Sequence, residues 1–508
     1  MARVITAAGS TIGAEAAAAV ADLGGNAVDA AIAAVIVSMC TEPGINAPGA
    51  GAFVTIWPPD GDPVTIDGYC EMPGRADADR LGTGRREVFM TYGGGMHTNI
   101  GYSSVATPGG FAGFELASRS FGACPWREIL QPAIHNTRRG FPVPTVSASY
   151  LEHSHDAVFG WHPESSKAIH HADGSVISAG EILVLPELAN SLELIAEGGA
   201  EVFYTGEVGR AITTEVHENG GILSQADMAA YEAIVRQPIR LHLNGWEIAT
   251  NPAPAVGGAA LAAILMLVTQ AGFDGWTAET VSRLVAAQNA VFNYRRTALE
   301  PADDLPGAVE RLLETARMGD LQTLLASGST THVSAVDSDG LACSITSSAG
   351  YGSGVKVSGT GIWLNNSLGE LELHPKGFHG LEPGSRLFSN MAPTVARDGR
   401  RAVLAVGSAG ADRITSAVVE TLLNHLMLDM DLAAAVGHPR VHAETFQGEP
   451  TVAYELDLPV EMEGNVRHFP ERSMYFGGVQ AAAWSPAEGL AATADPRRSG
   501  EVAAGGTA

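Results

Sequence analysis

The sequence predicts a layered α/β protein; strands facing strands, with helices outside on both faces, would make an αββα sandwich. Three observations predict it. Helical patterns run through residues 14–39, 111–231, 257–268 and 280–293, the last two with apolar faces; strand patterns mark 52–57 and 240–243; and from residue 330 short strands and turns dominate. With 508 residues, 45% apolar and 17% charged side chains, the chain has the composition of a compact globular protein, apart from a short Gly/Ala-rich end after Arg498.

The chain begins as strand, helix, tight break and second helix. Residues 14–23 carry an Ala-rich helical pattern, Gly24-Gly25 stops it, and Asn26 is placed to cap a helix over 27–39. Pro43-Gly44 and Pro48-Gly49-Ala50-Gly51 then lead into the strand at 52–57. This Gly-rich run suggests a phosphate loop, yet it feeds a strand and lacks the Gly-Lys-Ser/Thr ending, so close backbone packing is expected. Between 111 and 231 the periodicity is mainly helical, with Ser224-Gln225-Ala226-Asp227 resembling a helix start. His153, His155, Asp156, His162, His170 and His171 fit no standard metal-ligand spacing and are interleaved with Pro, Gly and Ser, which reads as a solvated loop. The pattern at 301–306 breaks the helices. Residues 307–329 read as helix until Ser327-Gly328-Ser329, a polar stretch that would leave the bond before Thr330 accessible, and a last helix is expected at 417–427.

A formal charge of −26, from 30 basic against 56 acidic residues, repels phosphate backbones and anionic lipid heads, so neither nucleic acid nor a membrane surface is an expected partner. Cys40, Cys70, Cys124 and Cys343 have no close-set pairs and no metal-ligand spacing, so buried free thiols are expected, without disulfides or zinc. The start lacks the apolar stretch of a secretory signal, and the apolar runs near 30–39 and 259–268 are too short to span a bilayer; a cytoplasmic protein is expected.

The chemistry centres on Thr330. Residues 330–337 and 341–348 alternate as two strands, and the loop Ser338-Asp339-Gly340, with Gly at the left-handed position, sets Asp337 opposite Leu341. Counting back along both arms puts Thr330 opposite Ser348, two hydroxyls side by side. Cut before Thr330, the chain would gain an α-amino group, with a pKa of about 7.7–8, as general base for the hydroxyl of the same residue. A Thr-rich hairpin in a core is the plainer reading of the same pattern.

Thr330-Thr331-His332-Val333-Ser334 followed by Gly359-Thr360-Gly361-Ile362-Trp363-Leu364-Asn365-Asn366 resembles the small-subunit signature of the γ-glutamyltranspeptidases. Further landmarks of that family occur in its order: Gly24-Gly25-Asn26-Ala27-Val28-Asp29, Thr107-Pro108-Gly109-Gly110, Ala230-Tyr231, Asn390-Met391-Ala392-Pro393-Thr394 and Asp495-Pro496-Arg497-Arg498. The resemblance implies the αββα fold of the N-terminal nucleophile hydrolases. It also implies a precursor that cuts itself into a large-subunit region, 1–329, and a small-subunit region, 330–508, which together form one unit.

By the same resemblance Thr330 is the nucleophile and Ser348 stands for a Thr that hydrogen-bonds it. Gly410 and Ala411, in the turn Gly407-Ser408-Ala409-Gly410-Ala411-Asp412-Arg413, stand for two adjacent glycines whose N–H groups hold the oxyanion; if the second position needs a positive φ, Ala411 is strained. Ser389 and Asn390 map to two serines that hold the substrate α-carboxylate, and Glu370 to an acid that holds the α-amino group. By spacing alone these three read as turn residues and a solvated charge. Three departures bear on the substrate. Cys70 stands where the family usually has an Arg, Gly350 where many members have an Asn, and Ser367 where they have Gln or Arg; a thiol does not replace a guanidinium. The stretch from Glu370 to Arg386 is too short for the lid of some members, so an open pocket is expected.

The expected function is a self-processing transferase or hydrolase that cleaves γ-glutamyl amides through an acyl-Thr330 ester and passes the acyl group to water or an amine, with no cofactor or metal. The alternatives are an amidase or acylase of the same fold with another specificity, glutaryl- or cephalosporin-type, and a catalytically silent homologue.

Overall fold

The computed structural model describes residues 2–76, 82–91, 95–270, 272–319, 330–370, 373–374, 376–461 and 464–507. Two antiparallel sheets face each other. The first, of seven strands, runs in the order Glu501–Thr507, Ala2–Ala8, Thr331–Asp337, Ala342–Ser348, Gly51–Trp57, Val64–Gly68 and Ile234–Arg236. The second, of six, runs Gly489–Ala494, Gly478–Ser485, Val403–Ala409, Thr394–Asp398, Trp246–Thr250 and Ile239–Leu243.

Helices Thr11–Asp22, Ala27–Thr41 and Gly110–Phe121 cover the outer face of the first sheet, and Gly257–Gln270 and Arg413–Leu422 that of the second. The expected αββα sandwich is therefore the observed one. Each sheet has a large apolar core under its helices. The inner layer is thinner and built from small side chains with Trp57: Ala249, Val336, Ala342, Val395, Val403, Ala405 and Ala482. Polar groups cross it as well. The Ser344 hydroxyl donates to the Val406 carbonyl at 3.0 Å and accepts from the Thr394 N–H at 3.1 Å, so the sheets hold one register against each other.

The helix signals hold in detail. Asn26 caps Ala27–Thr41 in a reciprocal capping box with Asp29, and Ser224 does the same with Asp227 for Gln225–Ala229. The Gly-rich run packs closely as expected: a Cβ on Gly49 would lie 2.7 Å from the Trp363 carbonyl oxygen. All four cysteines are buried free thiols. The helix expected at 417–427 starts earlier, as Arg413–Leu422, and runs on through a π turn, Leu423–Met427.

Two expectations need correction. The helix leading toward Thr330 is Leu305–Met318 and ends there, because Gly319 takes a left-handed φ of 83° and closes it; residues 320–329, including Ser327-Gly328-Ser329, lie outside the described residues. The histidine-rich stretch is not a solvated loop. It forms helix Thr145–Ser154, a π turn His155–Phe159 and helix Pro163–Ile169, held by buried Val146, Tyr150, Leu151, Val158 and Phe159 at helical spacing. Its histidines pair off separately: His155 with His170 at 2.9 Å, His162 with the Tyr102 hydroxyl at 3.0 Å, and His171 with Glu181 at 2.9 Å. Among the described residues no group of three metal-binding side chains occurs there or elsewhere, and no helix is long and apolar enough to cross a membrane.

Candidate active site

The hairpin forms in the register read from its loop. Gly340 sits at φ 87°, the Asp337 N–H donates to the Leu341 carbonyl at 3.0 Å, and pairing runs from Val336 with Ala342 to Thr331 with Ser347. Continued by one residue, the same register sets Thr330 opposite Ser348 at the open end; each is 4% exposed. The ladder continues sideways, since Ser348 pairs with Gly51 of the next strand. Neighbouring strands are about 4.8 Å apart, so Thr330, Ser348 and Gly51 form a row about 10 Å long across three strand ends.

The far end of that row is closed by Tyr69 and Cys70. A Cβ on Gly51 would lie 2.8 Å from the Tyr69 ring and 2.9 Å from the Cys70 thiol, so only glycine admits them here. Tyr69 stacks on Phe53 with ring centres 5.2 Å apart, and the Tyr231 hydroxyl donates to its carbonyl at 2.6 Å. The Ser367 hydroxyl lies 3.6 Å from the Cys70 sulfur. Burial pushes the Cys70 thiol up to about 12, against a hydrogen bond from Ser367, so it is a neutral thiol at physiological pH. Burial also pushes the Tyr69 phenol well up; Glu370 and Cys70 add to the shift, and the Ser389 and Ser367 hydroxyls oppose it. The structure thus brings Cys70, Ser367, Ser389 and Glu370 together around Tyr69, a residue that the sequence reading passed over.

Glu370 joins this cluster to the hairpin. Gly350, at φ 64°, donates its N–H to the Ser348 hydroxyl at 3.1 Å, and a Cβ on it would lie 3.0 Å from a Glu370 carboxylate oxygen. A larger residue there meets the Asn366 amide oxygen first, at 2.3 Å, and that oxygen holds the Tyr351 N–H at 2.7 Å. Glu370 is therefore a buried acid beside the Ser348 turn, not a solvated charge.

Ser389 bears on Tyr69, and the Asn390 amide donates to Asp412 at 2.8 Å. Asp412 is held by Arg295 at 2.9 Å and follows directly on Gly410 and Ala411. Asn390 thus helps to anchor the Gly-rich turn through its amide nitrogen.

That turn leaves the second sheet at the end where Thr330 lies. Gly407 faces His332, where a Cβ would come within 2.3 Å of the imidazole, and Ala409 shares a cavity of about 10 Å³ with Thr331 and His332. Gly410 and Ala411 have φ of 120° and 70°, so the second position does require the left-handed region and alanine occupies it. Among the described residues neither N–H has a hydrogen-bond acceptor. Two adjacent backbone donors of this kind are what a tetrahedral oxyanion needs.

A family model described as Gamma-glutamyltranspeptidase matches residues 13–505. The Glutathione hydrolase proenzyme of Escherichia coli (strain K12) is 28% identical, over 95% of this chain and 88% of its own length. The Acylase ACY 1 proenzyme of Pseudomonas sp. (strain V22) is 30% identical, over 91% of this chain and 86% of its own. Among solved structures, cephalosporin acylase from Bacillus halodurans covers 99% of this chain and 96% of itself with a TM-score of 0.79; at 22% identity this is a likeness of fold. A gamma-glutamyltranspeptidase from Pseudomonas nitroreducens, complexed with L-DON, covers 62% of this chain and 94% of itself with a TM-score of 0.51 and 26% identity.

Proposed function

Because the chain belongs to the gamma-glutamyltranspeptidase family, an enzyme family of the N-terminal nucleophile fold, we propose that it cuts itself before Thr330 and then uses Thr330 to cleave γ-glutamyl-type amides. The observation that supports this reading is the register of the hairpin, Thr331 opposite Ser347, which continued by one residue brings Thr330 to Ser348.

In the first step the Thr330 hydroxyl attacks the Ser329 carbonyl carbon, the peptide C–N bond breaks, and water hydrolyses the resulting ester. This frees the Thr330 α-amino group and leaves a carboxylate on Ser329. In turnover that amine takes the hydroxyl proton as Thr330 attacks the substrate carbonyl, then returns it to the leaving amine; water or an acceptor amine resolves the acyl-Thr330 ester. The N–H groups of Gly410 and Ala411 hold the oxyanion in both steps, and Ser348 orients the nucleophile. The reaction draws on side chains and backbone alone.

Denaturing electrophoresis and N-terminal sequencing test it. Purified protein runs as two chains, the smaller beginning Thr330-Thr331-His332, and releases p-nitroaniline from an acyl anilide; Thr330→Ala stays whole and inactive. Wild-type protein that turns over substrate while uncut overturns the mechanism. A second reading keeps the machinery and changes the acyl group, an acylase, and the neutral Cys70 and Ser367 beside Tyr69 favour it over an ordinary γ-glutamyl specificity.

A further inference from the structure

Resting on that reading, we propose that Glu42, Gln480 and Arg498 hold one buried water behind the nucleophile strand, and that this water is a positioning link between Thr330 and the Gly410 turn. Its place is the cavity of about 10 Å³ beside Thr331, His332 and Ala409, which is the room that a single water needs. Glu42, Gln480 and Arg498 also line that cavity. They reach it from three separate elements. Glu42 follows helix Ala27–Thr41 at its C-terminal end, Gln480 lies on strand Gly478–Ser485, and Arg498 lies in the turn before strand Glu501–Thr507.

The polar atoms of this wall match one water. Glu42 and Gln480 are each 1% exposed. Among the described residues, Glu42 Oε1, Gln480 Oε1 and Arg498 Nε are buried without a hydrogen-bond partner. Two of these atoms accept and one donates. A water donates twice and accepts from a third group, so one molecule satisfies all three, whereas an ammonium has no lone pair to offer Arg498. Buried polar atoms left bare are costly, and an ordered water is the usual remedy where the space allows it.

Each partner is tied to one half of the proposed machinery. Glu42 Oε2 accepts from the Thr331 hydroxyl at 3.4 Å, one residue from the nucleophile. Burial raises the pKa of the Glu42 carboxyl; the Ser38 and Ser10 hydroxyls, the Arg498 charge and the Thr331 hydroxyl oppose it. Gln480 pairs with Gly407 on the strand that feeds the Gly-rich turn, and its carbonyl accepts from the Ser334 hydroxyl that His332 also bonds. The Arg498 stem fills the space that a Cβ on Gly478 would need, and the adjoining Gly477 Cα would lie 2.6 Å from a Cβ on Gly410. The water therefore fixes the strand that begins at the nucleophile against the one whose turn carries the Gly410 and Ala411 N–H groups. Its loss shifts the hydroxyl relative to those donors and acts on the chemical step more than on substrate binding.

A crystal structure of the mature protein is expected to show one water within about 3.2 Å of Glu42 Oε1, Gln480 Oε1 and Arg498 Nε. No density there, or side chains that close on one another, overturns the site. Gln480→Met and Arg498→Met, which each remove one partner, are expected to lower kcat on an acyl anilide about tenfold with KM changed less than about twofold. Either change releases the same water, so the double variant should be no more than about twofold slower than the slower single one. Rates are taken per mature site, counted from the acyl adduct on Thr330 by mass spectrometry, so incomplete cutting or folding does not enter them. Single variants with wild-type kcat, or effects that multiply in the double variant, overturn the positioning role. If wild type forms no acyl adduct on Thr330, the proposed function falls, while the density still decides the water.

Discussion

Thr331 stands opposite Ser347 on adjacent antiparallel strands, and this carries Thr330 to the place facing Ser348, whose hydroxyl already accepts the Gly350 N–H at 3.1 Å. The Ser348 hydroxyl is thereby fixed by the Gly350 N–H. Ser348→Ala should lower kcat about 10–100-fold in fully matured protein, and Ser348→Thr should keep most of it. Maturation is followed separately by electrophoresis, so that slow cutting is not read as slow turnover. A Ser348→Ala enzyme as fast as wild type would mean that this hydroxyl does not orient the nucleophile.

The turn at Gly410 and Ala411 gives a pair of opposite expectations. Alanine at φ 70° carries roughly 1–2 kcal/mol of strain, part of which glycine would return as unfolded-chain entropy. Ala411→Gly should therefore stabilise the fold by up to about 1 kcal/mol in chemical denaturation, with turnover that does not fall. Gly410→Ala places a Cβ 2.6 Å from the Gly477 Cα, so the turn must shift. Turnover there should drop on the order of 100-fold, the scale of one lost oxyanion donor. Equal activity in the two variants would remove the turn from the mechanism.

Much of this site was legible in the sequence, for reasons that can be located. The hairpin register followed from alternation plus a Gly at the left-handed loop position, both local properties of the chain. Asn26 and Ser224 were legible as caps because a cap and its partner three residues on are local too. What was not legible depends on contacts between distant segments. Tyr69 gives no signal beyond preceding Cys70, and its place is set by Gly51 and Phe53 on another strand. The Asn390 amide is held by Asp412, itself held by Arg295. The histidine-rich stretch misled because Pro, Gly and Ser outweighed an apolar helical spacing spread over three short segments.

Asn390 offers a test that separates binding from positioning. Its amide holds Asp412 beside the Gly-rich turn, 2.8 Å away, so its loss should loosen the turn more than the acyl pocket. Asn390→Ala is expected to lower kcat about tenfold while KM for the acyl donor moves less than about twofold. A raised KM at constant kcat would instead return Asn390 to the substrate-holding role that the sequence resemblance implied.

His332 ties the nucleophile strand to a pH dependence. Its Nε2 lies 2.9 Å from the Ser334 hydroxyl, which donates onward to the Gln480 carbonyl at 3.0 Å and so must accept from the ring. Nδ1, 2.8 Å from the Thr346 hydroxyl, is then the acceptor, and the ring is neutral. Burial pushes this imidazole from 6.5 down to about 3. In the window between those values the unfolded chain binds a proton that the folded protein does not, so the contribution is complete above about pH 6.5 and is lost as pH falls toward 3. At pH 5 the loss is about 2 kcal/mol. His374 and His442 are shifted the same way and Glu420, pushed up to about 8 by burial, the opposite way, but all three remain in the variant His332→Gln. Denaturant unfolding at pH 7.5 and pH 5 should therefore show wild type losing about 2 kcal/mol more than His332→Gln between the two conditions. If both lose the same amount, the proton goes elsewhere, and the strand that carries Thr330 owes nothing of its acid sensitivity to the imidazole behind it.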